Sequence, residues 1–241
     1  MRLDLGKAWS ATMADVQARF ADYLLPVAAF GFLPSVLVAR FAGPDRLGDT
    51  MAAAAQLGSA AVSVIGQTAI MLMVIVPRID VGGAIRAGAA ATPRILLGTL
   101  LIGATALPAA AIYQRYGGGE GSLGVSLLLL TLATLTMFLA LRLSMLASVV
   151  VAEDAGVVDA VRRSFALTAG QAGRLLVLIG AILLMFIIIS ALVGALGLML
   201  TGGTPQAPSF VTQLLLAAVG AVFSILLAAA TAHAYRQLAG R

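Results

Sequence analysis

The sequence predicts an all-α fold, a single polytopic membrane domain over residues 1–241 in which six transmembrane helices form a bundle with amphipathic interfacial helices. Of the 241 residues, 61% are hydrophobic and 10% are charged, and the mean hydropathy is +1.05. A soluble domain typically has about 45–50% apolar and about 25% charged residues. Whole stretches of about 20 residues pass without a charge, which is the length that a helix needs to cross a bilayer. Composition therefore excludes soluble, collagen-like and disordered classes, and the absence of cysteine excludes a disulfide scaffold.

Six apolar segments are long enough to span the bilayer as helices, which pair their backbone polar groups internally. A transmembrane barrel would need alternating polarity, and the apolar run Ile182–Ile189 does not alternate. Glycine- and proline-rich clusters at 43–45, 117–121 and 202–205 mark three turns that we expect on one side of the membrane. The predicted spans are Leu24–Ala42, Met51–Val76, Ile95–Tyr113, Leu123–Leu141, Leu175–Leu200 and Phe210–Ala234.

The distribution of basic residues predicts the orientation, because lysine and arginine collect in cytoplasmic loops. Eleven of the fifteen basic residues fall in the N-terminal arm, the second-to-third connection, the fourth-to-fifth connection and the tail. Both termini are therefore predicted to be cytoplasmic in a bacterial inner membrane. The net charge of +5 is explained by these loops and not by nucleic-acid binding, for which no binding fold is visible. The first 20 residues lack the early apolar core of a cleavable signal peptide.

A faint repeat at a spacing of 76 residues divides the chain into units 1–76, 77–152 and 153–241. Each unit would contain a short polar or amphipathic segment followed by two membrane helices, so the three units would share one orientation. The alternative is chance alignment, because alanine and glycine are so common here. The matches that favour the repeat are Asp4 with Asp80, Gly6 with Gly82, Arg86 with Arg162, and Ala8 with both Ala84 and Ala160.

Two of the repeated segments have the periodicity of amphipathic helices that lie in the membrane interface. In the third unit, Asp159 and Arg163 are four residues apart and are predicted to pair along the helix. The alternative is that these segments are cytoplasmic linkers with helical character. The predicted apolar faces are Leu5, Trp9, Met13, Val16 and Phe20 in the first unit, and Val158, Val161 and Phe165 in the third.

Arg142 is the charged residue that the sequence singles out. It interrupts an apolar stretch from Leu123 to Ala152, about 45 Å if fully helical, which is too long for one perpendicular crossing. The helix is therefore expected to break near Arg142, whose side chain would extend to the headgroups. The alternative is that Arg142 faces the bundle, pairing with Glu153 or Asp154 or holding a lipid phosphate.

Other chemical motifs are weak. The sequence from Gly119 to Gly124 matches G-x-G-x-x-G, but no strand precedes it, so we interpret it as a flexible turn. His233, the only histidine, has no acidic neighbour in sequence, and no catalytic or metal-binding motif occurs. None of the predicted spans contains Asp or Glu, which disfavours proton or sodium coupling. No cofactor, metal site or catalytic residue is predicted.

The stretch from Leu141 to Gly180 resembles the signature of the glycerophosphoryl diester phosphodiesterase membrane-domain family and its uncharacterised bacterial relatives. The similarity lies in an arginine near a helix end, an acidic residue about ten positions later and an A-x-x-R-S-x-x-L-T-x-G segment. That segment comprises Ala160, Arg163, Ser164, Leu167, Thr168 and Gly170, and the opening L-x-L-G-x-A-W comprises Leu3, Leu5, Gly6, Ala8 and Trp9. The resemblance implies the membrane region alone, since the metal-binding residues of the family's catalytic barrel have no counterparts in this sequence.

These observations predict a non-enzymatic inner-membrane protein with a scaffolding role or a role in binding lipids or a membrane protein partner. Membrane lipids, anionic ones included, are the expected partners, and nucleic acid is not. The predicted contact residues are Arg142, Glu153, Arg162 and Arg163. The alternatives are a transporter or channel for a small or lipid-like solute, which a continuous polar cavity would favour, and a membrane-embedded enzyme acting on lipid headgroups.

Overall fold

The computed structural model describes residues 3–41, 49–76, 78–116, 123–201 and 209–240. These residues are almost entirely helical and contain no strand, which confirms the all-α class. Six helical segments in this part of the chain are long and apolar enough to cross a membrane. The helices are α1 (Leu5–Val27), a π-helix (Ala28–Phe32), α2 (Leu33–Phe41), α3 (Asp49–Ile75), α4 (Val81–Tyr116), α5 (Leu123–Leu143), α6 (Leu146–Glu153), α7 (Val157–Thr168), α8 (Ala172–Thr201) and α9 (Phe210–Ala239).

The first crossing is longer than its predicted span, because the amphipathic segment runs directly into it. The helical segment extends from Leu5 to Phe41, with non-helical backbone angles at Arg19 (φ −125°, ψ 22°). Pro26 lies inside this helix and has no N–H to donate to the preceding turn. The π-helix begins two residues later, so the irregular backbone follows the missing hydrogen bond.

The interruption predicted near Arg142 is confirmed. Helix α5 ends at Leu143 and α6 begins at Leu146. The Ser144 hydroxyl donates a hydrogen bond of 2.7 Å to the Leu141 carbonyl in the break. The thirty-residue apolar stretch is therefore divided between a crossing helix and a short buried helix.

The two ends of the chain meet at one end of the bundle. The Asp4 amide donates to the Gln237 side chain at 3.0 Å, and Tyr235 donates to Glu153 at 2.8 Å. We call this the basic end, because it contains Arg19, Arg78, Arg94, Arg174 and Arg236 with the exposed residues Lys7, Arg86, Arg162 and Arg163. Most large buried side chains lie near it, whereas Leu127 and Leu130 of α5 are exposed, as expected of a lipid-facing surface.

Several structural features recur at the spacing of 76 residues. Helices α1, α4 and α7 begin at Leu5, Val81 and Val157. The side chains of Asp4 and Asp80 each accept the backbone N–H three residues later, at 3.0 and 3.2 Å. Ala8, Ala84 and Ala160 are all fully buried, and Arg78 and Asp154 both have positive φ. These recurrences favour the threefold repeat, which stays a prediction until whole units are superposed.

The buried faces of α1 (residues 5–20) and α7 consist mainly of small residues, and Val16 is the one buried member of the predicted apolar stripes. Helix α1 buries Ala8, Thr12 and Val16, whereas Trp9 and Phe20 are exposed. Helix α7 buries Ala160, Ser164 and Thr168, whereas Val158 is exposed. Large apolar side chains can face lipid at no cost, and small residues let helix backbones approach closely.

The close approach of α1 and α3 provides a stability test. A Cβ at Gly66 would lie 2.7 Å from the Pro26 carbonyl oxygen, whereas a Cβ at Gly58 in the same helix would meet nothing within 4 Å. Gly66→Ala is expected to destabilise the detergent-solubilised protein by about 1–3 kcal/mol through overpacking. Gly58→Ala should leave the melting temperature unchanged or raise it slightly. Equal effects of the two substitutions would contradict this packing.

Candidate functional site

Arginine side chains cap the helix ends at the basic end. The Arg19 Nη1 donates to the Met73 carbonyl at 2.7 Å, and the Arg236 Nη1 lies 3.4 Å from the Val74 carbonyl. These are last-turn carbonyls of α3, which have no partner within the helix. Both cations also lie at the negative end of the helix dipole. Arg19 and Arg236 therefore connect α1 and α9 to the end of α3.

Arg94 caps the C-terminal end of α6 in the same way. Its Nη1 contacts the carboxylate of Asp154 at 2.8 Å and the backbone carbonyls of Asp154 and Ala155 at 3.3 Å. Asp154 adopts a left-handed backbone conformation at the helix C-terminus (φ 48°), where few non-glycine residues are found. The ion pair and the two carbonyl contacts hold this turn.

Arg142 lies half-buried between two aromatic rings. Its guanidinium carbon is 5.2 Å from the centre of the Phe138 ring and 5.8 Å from that of Phe165. Its Nη1 lies 3.4 Å from the Phe165 carbonyl, and its Nε is buried without a hydrogen-bond partner among the described residues. The Ser164 hydroxyl donates to the Arg142 carbonyl at 2.6 Å, which fixes α7 against the end of α5.

The carboxylates that the alternative interpretation paired with Arg142 form their contacts with other residues. Glu153 accepts a hydrogen bond from the Tyr235 hydroxyl at 2.8 Å and lies 3.4 Å from the Arg163 Nε. Asp154 pairs with Arg94, as described above. The prediction that Arg163 pairs with Asp159 within α7 is also wrong. Arg163 reaches across the tight turn to Glu153, whose position is fixed by Tyr235 on α9.

A polar cluster that sequence analysis missed connects the first and last helices. The Tyr23 hydroxyl donates to Asp15 Oδ2 at 2.6 Å, and His233 Nε2 lies 3.4 Å from the same oxygen without hydrogen-bond alignment. The Arg19 guanidinium lies over the Tyr23 ring at 5.4 Å. His233 had no acidic neighbour in sequence, so only the pairing of α1 with α9 reveals this contact.

Several exposed basic residues have no carboxylate partner in the described parts of the chain. They form no ion pair, although the Arg86 Nε lies 3.4 Å from the carbonyl of Gly82 in its own helix. Arg162 lies one turn from Phe165, the residue against which Arg142 stacks. The set comprises Lys7, Arg78, Arg86 and Arg162.

A second polar feature, the polar groove, lies between α2, α3 and α9. It consists of two joined cavities of about 370 and 240 Å³ that share Ser35 and Ser63. Its polar lining is Ser35, Gln56, Ser59, Ser63, Gln67 and Ser224, and none of the described residues that line it is charged. Gln56, Ser59, Ser63 and Gln67 lie on one face of α3, a helical spacing that the sequence already contained. The groove was not predicted, because Ser35 and Ser224, which complete it, lie on two other helices.

The polar groove does not continue to the basic end. The α3 residues from Thr68 to Val74, which follow Gln67, are all buried, as are those of α9 from Ala228 to Ala232. This layer contains large apolar side chains such as Ile70 and Met73. In the described parts of the chain, buried residues of α3 and α9 therefore separate the polar groove from the basic end.

Residues 117–122, which include most of the G-x-G-x-x-G match, lie outside the described residues, as do the clusters at 43–45 and 202–205. In the described parts of the chain, no group of three His, Asp or Glu side chains could hold a metal ion.

No family model, curated protein or solved structure matches the chain. The resemblance to the glycerophosphoryl diester phosphodiesterase membrane-domain family therefore stays a prediction. Several residues of that motif have clear structural roles here. Ala160 and Thr168 are fully buried, Ser164 bonds to the end of α5, and Gly170 has the positive φ (70°) that ends the turn after α7.

The Asp15–Tyr23–His233 cluster is expected to stabilise the protein. Tyr23→Phe removes the hydroxyl that donates to a half-buried carboxylate, and hydrogen bonds to charged groups contribute about 1.5–3 kcal/mol. The melting temperature in detergent should therefore fall. Tyr113→Phe is the matched control, because Tyr113 is 65% exposed on α4 and should tolerate the change. A Tyr23→Phe variant as stable as Tyr113→Phe would show that the contact contributes nothing.

Proposed function

We propose that this integral membrane protein is a non-enzymatic scaffold of the bacterial inner membrane whose basic end faces the cytoplasm and binds anionic lipid headgroups. The observation that carries the proposal is Arg142, a half-buried guanidinium with no carboxylate partner among the described residues and an unpaired buried Nε. A charged group at the membrane boundary is costly unless it is matched. A lipid phosphate is the anion most abundant at that depth.

The surrounding charge supports this assignment. Arg19, Arg94 and Arg236 are used internally as helix caps, so they are not available to a ligand. Lys7, Arg78, Arg86 and Arg162 are exposed, and each basic residue near an anionic membrane surface contributes about 1 kcal/mol of attraction. Arg162 is placed to assist Arg142, since both lie next to Phe165. Glu153 and Arg163 would position α7 by pairing with each other.

A transporter for a small or lipid-like solute is the second candidate, and the polar groove is the observation in its favour. The buried layer from Thr68 to Val74 separates that groove from the basic end. Translocation through the bundle would require this layer to open, whereas lipid binding at the basic end leaves it closed. The geometry therefore supports binding better than conduction.

The lipid-binding proposal is tested with Arg142→Leu. Leucine can pack between Phe138 and Phe165, so the fold should persist while the phosphate contact is lost. Native mass spectrometry should show about tenfold weaker retention of phosphatidylglycerol, equivalent to about 1.4 kcal/mol. Arg40→Leu removes an exposed arginine at the opposite end of the bundle and should change nothing. Unchanged retention in Arg142→Leu would refute the assignment.

The orientation is tested by cysteine labelling, which the chain permits because it has no cysteine of its own. Ala169→Cys places a thiol at an exposed site between α7 and α8 at the basic end. A membrane-impermeant maleimide should label it only after the cells are opened. Leu123→Cys, at the exposed start of α5, should react in intact cells. The reverse pattern would place the basic end outside.

A further inference from the structure

We propose that the polar groove binds a membrane amphiphile with an uncharged polar head, of the diacylglycerol class, and that its acyl chain enters an adjoining apolar cavity. This site is separate from the basic end, and its ligand carries no phosphate. The proposal follows from the hydrogen-bonding groups of the groove, from its lack of charge and from the apolar cavity beside it.

Two glutamine side chains line the polar groove. The side chains of Gln56 and Gln67 make no hydrogen bond within the described structure, although both belong to a membrane-crossing helix. A polar group without a partner at such depth costs several kcal/mol. Each carboxamide offers two N–H donors and one carbonyl acceptor. An occupant that both donates and accepts hydrogen bonds would relieve this cost.

Two serine hydroxyls of the groove can accept hydrogen bonds from a ligand. Ser35 donates to the Gly31 carbonyl and Ser63 to the Ala60 carbonyl, both at 2.7 Å within their own helices. With their protons used, these two hydroxyls present oxygen lone pairs to the groove. A free hydroxyl on the ligand could donate to them, while an ester carbonyl accepts from Gln67. A glycerol diester with one free hydroxyl carries both groups.

The groove has no positively charged side chain, neither lysine nor arginine, among the described residues that line it, which disfavours binding of the abundant phospholipids. The neighbouring Arg40 stacks on the ring of Phe41 at 5.7 Å and is not part of the lining. A phosphate placed there would lose its hydration without gaining a counter-ion, at a large free-energy cost. The head of the ligand is therefore uncharged.

The adjoining cavity suits the acyl chain. It has a volume of about 180 Å³ and shares Gly220 and Ser224 with the polar groove. Its remaining lining consists of aliphatic and aromatic side chains of α8 and α9, namely Ile182, Leu183, Phe186, Phe223 and Leu227. The joined cavities thus pass from hydrogen-bonding to apolar walls, which is the order of groups in an amphiphile entering from the membrane.

The irregular backbone of the first crossing helps to form the groove. Gly31 and Phe32 of the π-helix line the cavity opposite Ser63 and Gln67. A π-helical turn inserts an extra residue into a helix and is found frequently at functional sites. Toward the basic end, the Pro26 carbonyl of α1 packs closely against Gly66 of α3. This contact closes that end of the groove.

The test uses the full-length protein in phosphatidylcholine nanodiscs and a diacylglycerol probe carrying a diazirine on its acyl chain. The probe should label wild-type protein on α3, α8 or α9, as peptide mapping would show. Gln56→Leu combined with Gln67→Leu should reduce labelling about tenfold, the loss expected for two hydrogen bonds. Gln17→Leu, an exposed glutamine of α1 outside the groove, is the matched control and should label like wild type.

Several results would overturn the proposal. One is undiminished labelling of the double variant. Another is equal labelling of the same peptides by a phosphatidylglycerol probe with the same acyl chains. A third is a wild-type dimer that the double variant converts to a monomer, because the groove would then be an interface between two copies.

Should the double variant not fold, Ser59→Leu narrows the groove and is expected to give the same loss. Arg142→Leu should leave diacylglycerol labelling intact, so failure here is distinguishable from failure at the basic end.

Discussion

The bundle depends on how the backbone carbonyls at its basic end are satisfied. A helix that ends near the membrane boundary leaves its last carbonyls without internal partners. Arg19 and Arg236 supply donors to the end of α3, and Arg94 supplies them to the end of α6. Each donor comes from a different helix from the one it caps, so the same contacts that satisfy the backbone also join neighbouring elements. This explains why the packed core and most of the arginines lie at one end.

The sequence predicted the fold class well because the bilayer imposes it through length and composition. The six crossings and the break after Arg142 needed only hydropathy and helix geometry. The buried faces could not be predicted in the same way. In water, the apolar stripe with Val158 would turn inward, but lipid is as apolar as a protein core. What turns inward is therefore the small residue that allows close approach, such as Ala160, whose burial depends on its partner helix.

The candidate site also has features that the sequence predicted and features that depend on tertiary packing. Arg142 was visible in the sequence because a charge inside an apolar run is rare, but its ring contacts and its lack of a carboxylate depend on tertiary packing. Asp15 and His233 come from opposite ends of the chain, so no local pattern could join them. The glutamine and serine stripe on α3 was readable from spacing alone. Its significance came only when Ser35 and Ser224, on two other helices, completed the groove.

The two sites divide the polar chemistry of the protein by depth. Most charged groups lie at the basic end, where headgroups can solvate them, and the described lining of the groove within the crossing helices has only uncharged amides and hydroxyls as its polar groups. Between them lies a dry layer of α3 and α9 that includes Ile70, Met73 and Ala229. The hydroxyls of Thr68 and Thr231 in this layer donate to carbonyls of their own helices, so few groups are left to replace the hydration of water or ions. A ligand in the groove is therefore separated from the basic end, and an architecture of this kind suits recognition of membrane components better than their conduction across it.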